Sequence, residues 1–511
     1  MSARLSVASI LAESARRYPD KEALVLGETR LTYQQVWGMA RRFAAVLRND
    51  GVGPGDRVAV LLPNIPHFAF AYYGALALGA TVVPVHALLK ADEIAYTLTD
   101  SACVALITAA PLLPEAAKGA EIAGVRLYSV LDSDADFSEV ARIDTMAMTV
   151  EPIDALVPRR PQDEAVILYT SGTTGKPKGA VLTHDNMIWN ASMFAFDITD
   201  LQHEDVGLAA LPLFHSFGQT CVLNAGFRAG CTLVLMPRFD GVAALDLMVK
   251  EKVTYFAGVP TMFMGLLAAT EQTASRPTLR VAGSGGAAIP VAVINKVKDV
   301  FGVDILEGYG LSETSPVATF NQEVYGRKAG SIGCSVWGVD VSIANADLEG
   351  EIELLPDNTN GEIVIRGHNI FDGYLNKPEA TAAVMVDGWF RTGDIGYRDD
   401  DGFFFIVDRK KDLIIRGGFN VYPREVEEVI AQHPAVAQVA VVGVADEMYG
   451  EEIHAVVVLV APDAVDEAEL SDWVRERIGL HKYPRRIHVR ESLPTGPSGK
   501  VLKRVIVQEL G

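Results

Sequence analysis

The residues best suited to chemistry stand together between Tyr169 and Ala180, where hydroxyls, glycines and lysines are interleaved. The run contains the hydroxyls of Thr170, Ser171, Thr173 and Thr174, the glycines Gly172, Gly175 and Gly179, and the lysines Lys176 and Lys178. Glycine lets a ligand approach the backbone closely, hydroxyls donate hydrogen bonds, and lysine supplies positive charge. The run therefore predicts a loop that grips the phosphates of a nucleotide. A solvated loop that binds no ligand can have a similar composition, but it does not require hydroxyls, glycines and lysines in this order.

The order of these residues differs from that of a Walker loop. In the Walker motif, Gly-Lys-Ser/Thr continues directly into a helix. Here Pro177 separates the two lysines, and a β-type segment, 180–183, follows. The order disfavours kinase and GTPase chemistry.

Composition limits the classes of partner. The chain has 511 residues, of which 49% are hydrophobic and 22% are charged, and its net charge is −20. Because a chain of this length is too long to fold around a single hydrophobic core, more than one domain is expected. Strong acidity argues against the broad basic face that nucleic acid requires, so no nucleic-acid partner is expected. The cysteines form no CxxC pair, which disfavours a disulfide framework or a zinc site and favours a reducing compartment.

No segment has the pattern of a leader or of a membrane span. Residues 1–19 alternate apolar and charged positions, as an amphipathic helix does, without the apolar core of a signal peptide. The apolar stretch 68–85 is interrupted by Tyr72, Gly79 and Pro84, which predicts a buried helix followed by a strand. We therefore expect a cytoplasmic protein without an integral membrane segment.

The fold class is predicted from the alternation of short β-branched segments with alanine-rich helical ones, for example at 57–62, 67–79 and 81–85. This alternation predicts an α/β class with a large N-terminal domain of parallel-type sheets flanked by helices. Near residue 340 alternating strands and turns predict a small β-barrel-like subdomain. After Asp412 the pattern is that of a small α+β domain.

Two later segments carry further cations. Residues 408–412 form a charged cluster between apolar strands, which is typical of a solvated turn or of a linker between domains. Residues 493–500 form a loop of glycine and proline that ends in Lys500. Such a loop is suited to presenting that lysine.

Five ordered motifs carry a resemblance to a known family. They are the phosphate loop, Glu307–Pro316, Thr392–Asp394, Asp408–Lys411 and Pro494–Lys500. In this order they resemble the motifs of the acyl-adenylate-forming (AMP-binding) superfamily, and 311–321 with 408–423 resembles bacterial medium- and long-chain fatty-acid–CoA ligases. The resemblance implies an N-terminal adenylation domain, residues 1–410, and a mobile C-terminal lid domain, residues 411–511, with a hinge near 408–412.

The resemblance also implies a reaction in two steps. A carboxylate attacks the α-phosphate of ATP and pyrophosphate leaves, after which the thiol of CoA attacks the acyl-adenylate and expels AMP. Because both steps move charge on phosphate oxygens, positioned cations and backbone donors carry the catalysis. ATP, Mg²⁺ and CoA are the expected cofactors and co-substrates. An acyl-nucleotide sensor without activity would be expected to lack Lys500 or Glu313, and both are present.

Catalytic roles are implied for three residues. Lys500 matches the lysine that bridges the carboxylate and the α-phosphate during adenylation. Lys411 matches the hinge residue of the domain rotation. Glu313 matches the residue that holds Mg²⁺ against the phosphates, with help from the Thr170 hydroxyl.

Nucleotide contacts are implied along several motifs. Asp394 is expected to accept hydrogen bonds from the ribose hydroxyls, Arg409 to contact ribose or phosphate, and Tyr309 to stack on adenine. The implied ATP- and AMP-binding residues are Thr170, Ser171, Gly172, Thr173, Thr174, Gly175, Lys178, Gly286, Ala287, Glu307, Gly308, Tyr309, Ser312, Asp394 and Arg409.

Fewer residues are implied for the acyl and CoA sites. The implied acyl-site residues are His215, Phe217, Gly285 and Gly310, and the implied CoA-binding residues are Arg238, Gly417 and Gly418. Small residues at Gly285, Gly310 and Gly338 suggest a long pocket. Residues 283–290 hold no arginine or histidine to pair a second carboxylate, which favours a monocarboxylate with an apolar tail. Medium or long fatty acids are preferred. An aryl acid such as a cinnamate, and an acyl carrier protein in place of CoA, stay open as alternatives.

Overall fold

The computed structural model describes residues 6–132, 135–170, 176–417, 419–446, 448–462, 464–480, 482–495 and 501–511. The chain divides into two compact units. Unit 1 comprises residues 1–341 and 365–390, and unit 2 comprises residues 342–364 and 391–511. The predicted division between residues 410 and 411 concerns the hinge of a reaction cycle, and it stays a prediction.

The elements follow one another in the alternating order that the sequence indicates. In chain order the strands are β1 (Glu22–Leu26), β2 (Thr29–Thr32), β3 (Arg57–Leu61), β4 (Thr81–Pro84), β5 (Ala105–Ala109), β6 (Arg126–Val130), β7 (Ala141–Arg142), β8 (Glu164–Thr170), β9 (Lys178–Thr183), β10 (Val206–Ala209), β11 (Thr232–Leu235), β12 (Tyr255–Gly258), β13 (Val281–Ser284), β14 (Ile305–Gly310), β15 (Val317–Phe320), β16 (Cys334–Ser335), β17 (Val339–Ala344), β18 (Gly361–Gly367), β19 (Gly373–Tyr374), β20 (Met385–Val386), β21 (Trp389–Arg398), β22 (Phe404–Arg409), β23 (Ile414–Arg416), β24 (Phe419–Val421), β25 (Val436–Asp446), β26 (Gly450–Leu459) and β27 (Arg486–Val489). The helices are α1 (Ala8–Arg17), α2 (Tyr33–Asn49), α3 (Pro66–Ala77), α4 (Ala91–Asp100), α5 (Leu113–Ala123), α6 (Ile143–Ala147), α7 (His184–Met193), α8 (Ala225–Ala229), α9 (Gly241–Lys250), α10 (Pro260–Ala269), α11 (Val291–Phe301), α12 (Pro378–Ala382), α13 (Pro423–Ile430), α14 (Glu467–Arg475) and α15 (Lys503–Leu510).

Two large sheets form the body of unit 1. In the first, the strand order is β16-β15-β14-β13-β12-β10-β11-β1-β2, and the neighbours from β14 to β1 run parallel. In the second, the order is β19-β9-β8-β4-β3-β5-β6-β7, and the neighbours from β8 to β7 run parallel. Helices cover parallel strands on both faces, which explains why β12 and β13 are buried along their whole length. The predicted α/β class with parallel-type sheets is confirmed.

The apolar stretch 68–85 takes the predicted form. It contains most of α3, whose residues are almost all buried, and then the fully buried strand β4. Because α3 is enclosed by protein on every side, its apolar character follows from the interior of unit 1. Among the helices of the described residues, none combines the length and the apolar character that crossing a bilayer requires.

The later part of the chain forms two smaller sheets. The first has the order β17-β18-β21-β20, with β22 paired to β21, and the division between the units falls within β17, β18 and β21. The second lies in unit 2, with the order β24-β23-β26-β25 and β27 paired to β26. Its apolar residues pack with those of α13 and α14 in a core that includes Val426, Val441, Ile453 and Leu470. The predicted small β-barrel-like subdomain, which takes the form of a curled antiparallel half-barrel sheet, and the predicted α+β C-terminal part are both confirmed.

Candidate active site

The phosphate-loop motif connects two antiparallel strands. Thr170, at the end of β8, pairs with Lys178, at the start of β9, and the Thr170 hydroxyl donates to the Lys178 carbonyl oxygen over 3.5 Å. A strand therefore follows the motif, as predicted, where a Walker loop would continue into a helix. Ser171, Gly172, Thr173, Thr174 and Gly175 lie outside the described residues. Their phosphate contacts stay predictions.

The Lys178 ammonium lies over an aromatic ring. Its Nζ is 4.9 Å from the centroid of the Tyr374 ring, which is a cation–π distance. β19 brings the ring there, because Tyr374 pairs with Ala180 of β9. In the part of the chain that the structure describes, no carboxylate lies within ion-pair distance of this ammonium. The charge of Lys178 is thus held in place without being neutralised.

Glu313 is buried on a 3₁₀ turn, Ser312–Thr314, that contacts β9. Its Oε1 accepts a hydrogen bond from the Tyr374 hydroxyl at 2.8 Å, and its carbonyl oxygen accepts one from the Phe371 amide at 2.9 Å. Burial and the neighbouring Glu313 carboxylate raise the pKa of Tyr374, so the phenol stays protonated and continues to donate. Lys178 and Glu313 therefore both contact the side chain of Tyr374.

Sequence analysis did not identify Tyr374 as part of this site. The residue stands in β19, a strand of two residues, and no local pattern distinguishes it. Its place depends on the antiparallel pairing of β19 with β9, whose residues are far away along the chain. A tyrosine in so short a strand carries no signal that periodicity could detect.

A magnesium ion, which the sequence resemblance implies, prefers hard oxygen ligands and usually keeps several waters when it binds with phosphates. Glu313 offers a carboxylate that is 7% exposed, and Thr170 offers a half-buried hydroxyl at the end of β8. Among the described residues, no group of three or more His, Cys, Asp or Glu side chains could hold a metal. This sparse donor set fits a cation that is held mainly by nucleotide oxygens and water.

Helix α4 contacts both ends of the phosphate loop. The Tyr169 hydroxyl donates to Asp100 Oδ2 at 2.7 Å, and the Tyr96 hydroxyl donates to the Pro177 carbonyl oxygen at 2.9 Å. The Lys176 Nζ lies 5.0 Å from the centroid of the Tyr96 ring. α4 therefore fixes the points where the loop begins and ends. Sequence analysis missed this role because the contacts join residues with no common motif.

Strand β14 carries three of the predicted nucleotide residues. The buried Glu307 accepts a hydrogen bond from the Gly330 amide at 2.8 Å through its Oε2. Gly308 lies against Phe320, whose ring carbon Cδ2 would be only 2.0 Å from an added Cβ, so only glycine fits. Tyr309 is half-buried. The stacking of its ring on adenine stays a prediction.

Two of the predicted acyl-site residues, Phe217 and Gly285, lie together. A Cβ added to Gly285 would be 3.4 Å from Phe217 Cε1 and 3.4 Å from the Gly308 carbonyl oxygen. Phe217 is 8% exposed, whereas His215 is exposed and its Nδ1 accepts a hydrogen bond from the Phe217 amide at 3.3 Å. Gly285 therefore lies in close contact with both an aromatic ring and the backbone of β14. The acyl-site roles of Phe217 and Gly285 stay predictions.

Steric contacts explain why residues 310 and 338 are glycines. A Cβ on Gly310 would lie 1.7 Å from the Pro316 carbonyl oxygen, and a Cβ on Gly338 would lie 2.7 Å from the His368 ring. Neighbouring backbone and side chain therefore fill the positions that larger residues would need. This corrects the inference that the size of these glycines marks a long pocket. The acyl-site role of Gly310 itself stays a prediction.

Several predicted residues of unit 1 follow the carboxyl ends of parallel strands. Gly286 and Ala287 are exposed after β13, and Gly286 has a left-handed φ of +80°, which favours glycine. Arg238 is exposed after β11, and Ser312 is half-buried after β14. Because these strands belong to one largely parallel sheet, the residues follow the same edge, where α/β proteins bind ligands.

In unit 2, Asp394 and Arg409 are cross-strand partners on β21 and β22. The Arg409 Nε lies 3.2 Å from Asp394 Oδ1, and the Asp394 side chain is buried. Lys411, which is exposed, follows on the 3₁₀ turn Lys410–Asp412. Arg409, the cross-strand partner of the predicted ribose contact Asp394, therefore stands two residues before the predicted hinge.

The remaining predicted residues belong to the C-terminal part. Gly417 is exposed after β23, has a φ of +56°, and its amide donates to the Tyr449 carbonyl oxygen at 2.8 Å. Gly418 and Lys500 lie outside the described residues, so their roles stay predictions. The residues that flank the Lys500 loop are paired, because Thr495 forms an antiparallel bridge with Val501.

Comparison with known proteins decides the family. The model of the AMP-binding enzyme family matches residues 11–375, and the model of the AMP-binding enzyme C-terminal domain matches residues 425–500. The chain belongs to the AMP-binding enzyme family. Its resemblance to acyl-adenylate-forming enzymes, predicted from five motifs, is thereby confirmed.

Two relatives and one solved structure characterise this AMP-binding enzyme further. A long-chain-fatty-acid–CoA ligase of Bacillus subtilis strain 168 is 39% identical over 98% of this chain and 94% of its own length. A feruloyl-CoA synthase of an Amycolatopsis species is 37% identical over 97% of each chain. The crystal structure of ATP-bound MatB from Rhodopseudomonas palustris has a TM-score of 0.89 at 30% identity and covers 98% of both chains. This AMP-binding enzyme is therefore an acid–thiol ligase that uses ATP and CoA.

Proposed function

We propose that this enzyme is an AMP-forming fatty-acid–CoA ligase for medium- or long-chain acids. In the first step a carboxylate oxygen bonds to the α-phosphorus of ATP, and the bond to pyrophosphate breaks. In the second step the thiol sulfur of CoA bonds to the acyl carbon, the thiol proton is lost, and AMP leaves. The observation that carries the acid class is the similarity to the Bacillus subtilis long-chain-fatty-acid–CoA ligase, which is 39% identical over 98% of this chain.

The residue types around Gly285 suit an apolar acyl group. The Phe217 ring offers dispersion contacts, and Gly285 beside it brings no polar side chain. Residues 283–290 hold no lysine, arginine or histidine, so a second carboxylate there would be desolvated without a counter-charge. Similarity to the Bacillus subtilis long-chain-fatty-acid–CoA ligase supports the same acid class.

An aryl acid is the second candidate substrate. The specific observation in its favour is the similarity to feruloyl-CoA synthase, which is 37% identical over almost the whole chain. The edge and the face of the Phe217 ring can also pack against a planar acid. The two candidates share the reaction and differ only in the acid.

The phosphates are proposed to contact the cluster around Tyr374. Lys178 brings a positive charge that no described carboxylate neutralises, which suits phosphate oxygens. Glu313, oriented by the Tyr374 hydroxyl, is proposed to hold Mg²⁺ with the Thr170 hydroxyl. When bound, the cation would offset charge on the phosphate oxygens. Tyr374 itself keeps Lys178 and Glu313 in fixed positions.

The residues of the C-terminal part are proposed to act as the family resemblance implies. Asp394 accepts hydrogen bonds from the ribose hydroxyls and is held by Arg409. Lys500 bridges the carboxylate and the α-phosphate in adenylation. Lys411 is the hinge between residues 1–410 and a lid of residues 411–511. Arg238, Gly417 and Gly418 are proposed to contact CoA.

Pyrophosphate release tests the proposed function. The assay compares straight-chain acids from acetate to palmitate with aryl acids, with and without CoA, and mass spectrometry identifies the thioester. We expect release to increase with chain length and to yield acyl-CoA. Release with aryl acids alone would favour the second candidate, and release without a thioester would favour an acyl carrier protein as acceptor. No release with any acid would contradict the proposal.

A substitution at Gly285 tests the location of the acyl group. Gly285→Leu adds a branched side chain against the Phe217 ring, so kcat/KM for a long-chain acid should fall about tenfold while the KM for ATP changes little. Ala288→Leu is the matched control, because Ala288 is exposed in the same loop. Equal effects of both variants would place the acyl group elsewhere.

A further inference from the structure

A buried ion pair in unit 2 contacts segments that carry proposed site residues. Glu362, on β18, is 3% exposed, and Arg391, on β21, is 6% exposed. The Arg391 Nη2 and Nε atoms lie 2.6 Å and 3.0 Å from the same oxygen, Glu362 Oε2. Because both donors use one oxygen, the other oxygen of the carboxylate is left to bind a different group.

That second oxygen holds the backbone immediately before Asp394. Glu362 Oε1 accepts a hydrogen bond from the Gly393 amide at 3.0 Å, and Gly393 has a left-handed φ of +73°. The Thr392 hydroxyl accepts a hydrogen bond from the Asp394 amide at 3.1 Å and donates to the Ile363 carbonyl oxygen at 2.7 Å. The segment that precedes Asp394 is therefore tied to β18 at two points.

The ion pair is itself held by further groups of unit 2. Arg391 donates to the carbonyl oxygen of Leu348 and, at 3.5 Å, to that of Asn345. The Lys410 Nζ lies 3.7 Å from Glu362 Oε2, one residue before the proposed hinge at Lys411. The carboxylate thus joins the segment before Asp394 to the segment before the hinge.

Stability alone does not explain this arrangement. Desolvation of a buried ion pair costs about as much as its attraction returns, and replacement by apolar side chains of similar volume is often neutral or stabilising. Apolar side chains cannot, however, accept the hydrogen bond of the Gly393 amide. The feature that only the ion pair supplies is a fixed acceptor for that peptide group.

We propose that Glu362 is a positioning residue for ribose recognition, an inference that rests on the proposed role of Asp394. Glu362 fixes the Gly393 peptide, and this peptide sets the direction of the Asp394 side chain. Arg391 keeps the Glu362 carboxylate oriented toward Gly393. Glu362 acts through Asp394 and needs no contact with the nucleotide.

The test compares ATP with 2′-deoxyATP and 3′-deoxyATP in the pyrophosphate-release assay. Glu362→Gln weakens the hold on Gly393, so kcat/KM for ATP should fall about tenfold, as expected for one misaligned hydrogen bond to a charged group. The deoxynucleotide that lacks the recognised hydroxyl should be affected much less. The preference for ATP therefore falls by about the same factor. Asp394→Asn is the reference for loss of that preference.

A merely structural role of Glu362 predicts a different result. All three nucleotides would then lose activity equally, and an unchanged preference for ATP in Glu362→Gln overturns the inference. Asp205→Asn is the matched control, because Asp205 is buried and paired with Arg280 in unit 1. This variant should leave the preference unchanged.

A second variant covers the case in which Glu362→Gln does not fold. The double variant Glu362→Met/Arg391→Met replaces the whole ion pair by apolar groups, which unit 2 is expected to tolerate. It lacks the acceptor for Gly393, so the preference for ATP should fall as in Glu362→Gln, and an unchanged preference overturns the inference. If the unsubstituted enzyme releases no pyrophosphate with any acid, the proposed function fails instead.

Discussion

Two clusters, one in each unit, arrange their charged side chains in opposite ways. In unit 1, Lys178 and Glu313 both contact Tyr374, so an aromatic side chain lies between a cation and a carboxylate. In unit 2, Arg391 and Glu362 contact each other directly in a buried ion pair. The first arrangement keeps the charges apart, and the second neutralises them.

The difference follows from what each cluster is proposed to hold. A phosphate group is best bound by a cation whose charge is not already neutralised, and a ring holds such a cation at little cost to its charge. A backbone segment needs a rigid acceptor, and a carboxylate fixed by an arginine supplies one. The contrast therefore separates a cluster that binds charge from a cluster that holds backbone.

The largest expected effect concerns stability. Arg391→Met leaves the buried Glu362 carboxylate with only the more distant Lys410 ammonium, at 3.7 Å, and should lower the free energy of unfolding by about 3–5 kcal/mol. Lys178→Met leaves no such buried charge and should cost less than about 1 kcal/mol. Urea denaturation measures both variants. Similar losses would mean that the two clusters do not differ in the way described.

The next largest effect concerns adenylation. Glu313→Gln removes the carboxylate proposed to hold Mg²⁺, so the rate of pyrophosphate release should fall about 10²- to 10³-fold. Chelation of Mg²⁺ should have the same consequence, while thioester formation from preformed acyl-adenylate should persist in the variant. The matched control is Glu323→Gln, because the Glu323 carboxylate is exposed. An equal loss in the control would exclude a specific role for Glu313.

A smaller effect is expected for the cation of the same cluster. Lys178→Met removes a charge proposed to contact phosphate oxygens, so kcat/KM for ATP should fall about 10- to 100-fold while KM for the acid changes little. Lys250→Met is the control, because Lys250 is exposed on α9. A change in the KM of the acid with no change for ATP would assign Lys178 to the acyl group.

The smallest effect is expected for the hydroxyl of Tyr374. Tyr374→Phe keeps the ring beneath Lys178 and removes only the hydrogen bond to Glu313, so pyrophosphate release should fall about three- to tenfold. Burial and Glu313 raise the pKa of Tyr374, so the phenol does not ionise below its ordinary titration range. The loss of pyrophosphate release caused by Tyr374→Phe should therefore be the same at about pH 7 and about pH 9.5. Tyr374→Leu, which also removes the ring, should lose more activity, and equal losses would exclude a role for the ring.

Much of the fold was predictable because local periodicity reflects burial. The segments around β3, α3 and β4 alternate as predicted, since parallel strands and enclosed helices need apolar residues throughout. The change of pattern near residue 340 also corresponds to a different sheet. The register of short strands such as β19 was not predictable, because two residues are too few to show an alternation of apolar and polar side chains.

Residues of the candidate site were predictable where they belong to a short sequence motif. They were not predictable where their contacts join residues that are distant in the sequence. Phe217 and Gly285 were both predicted, and the structure brings them together. Gly310 was predicted from its size, but the Pro316 carbonyl oxygen occupies the position of its missing side chain. Tyr374 and Glu362 were missed, because each acts on a residue that is distant in the sequence.

The amino-acid sequence by itself determined the family, the reaction class and the order of the motifs. These properties depend on residue types at short spacing, which chemistry constrains directly. Only the tertiary structure decided which side chains hold those motifs in place: Tyr374 between Lys178 and Glu313, and Glu362 behind Gly393. The physical reason is that these positions are set by strand pairing and by burial of charge, which join residues that have no pattern in common along the chain.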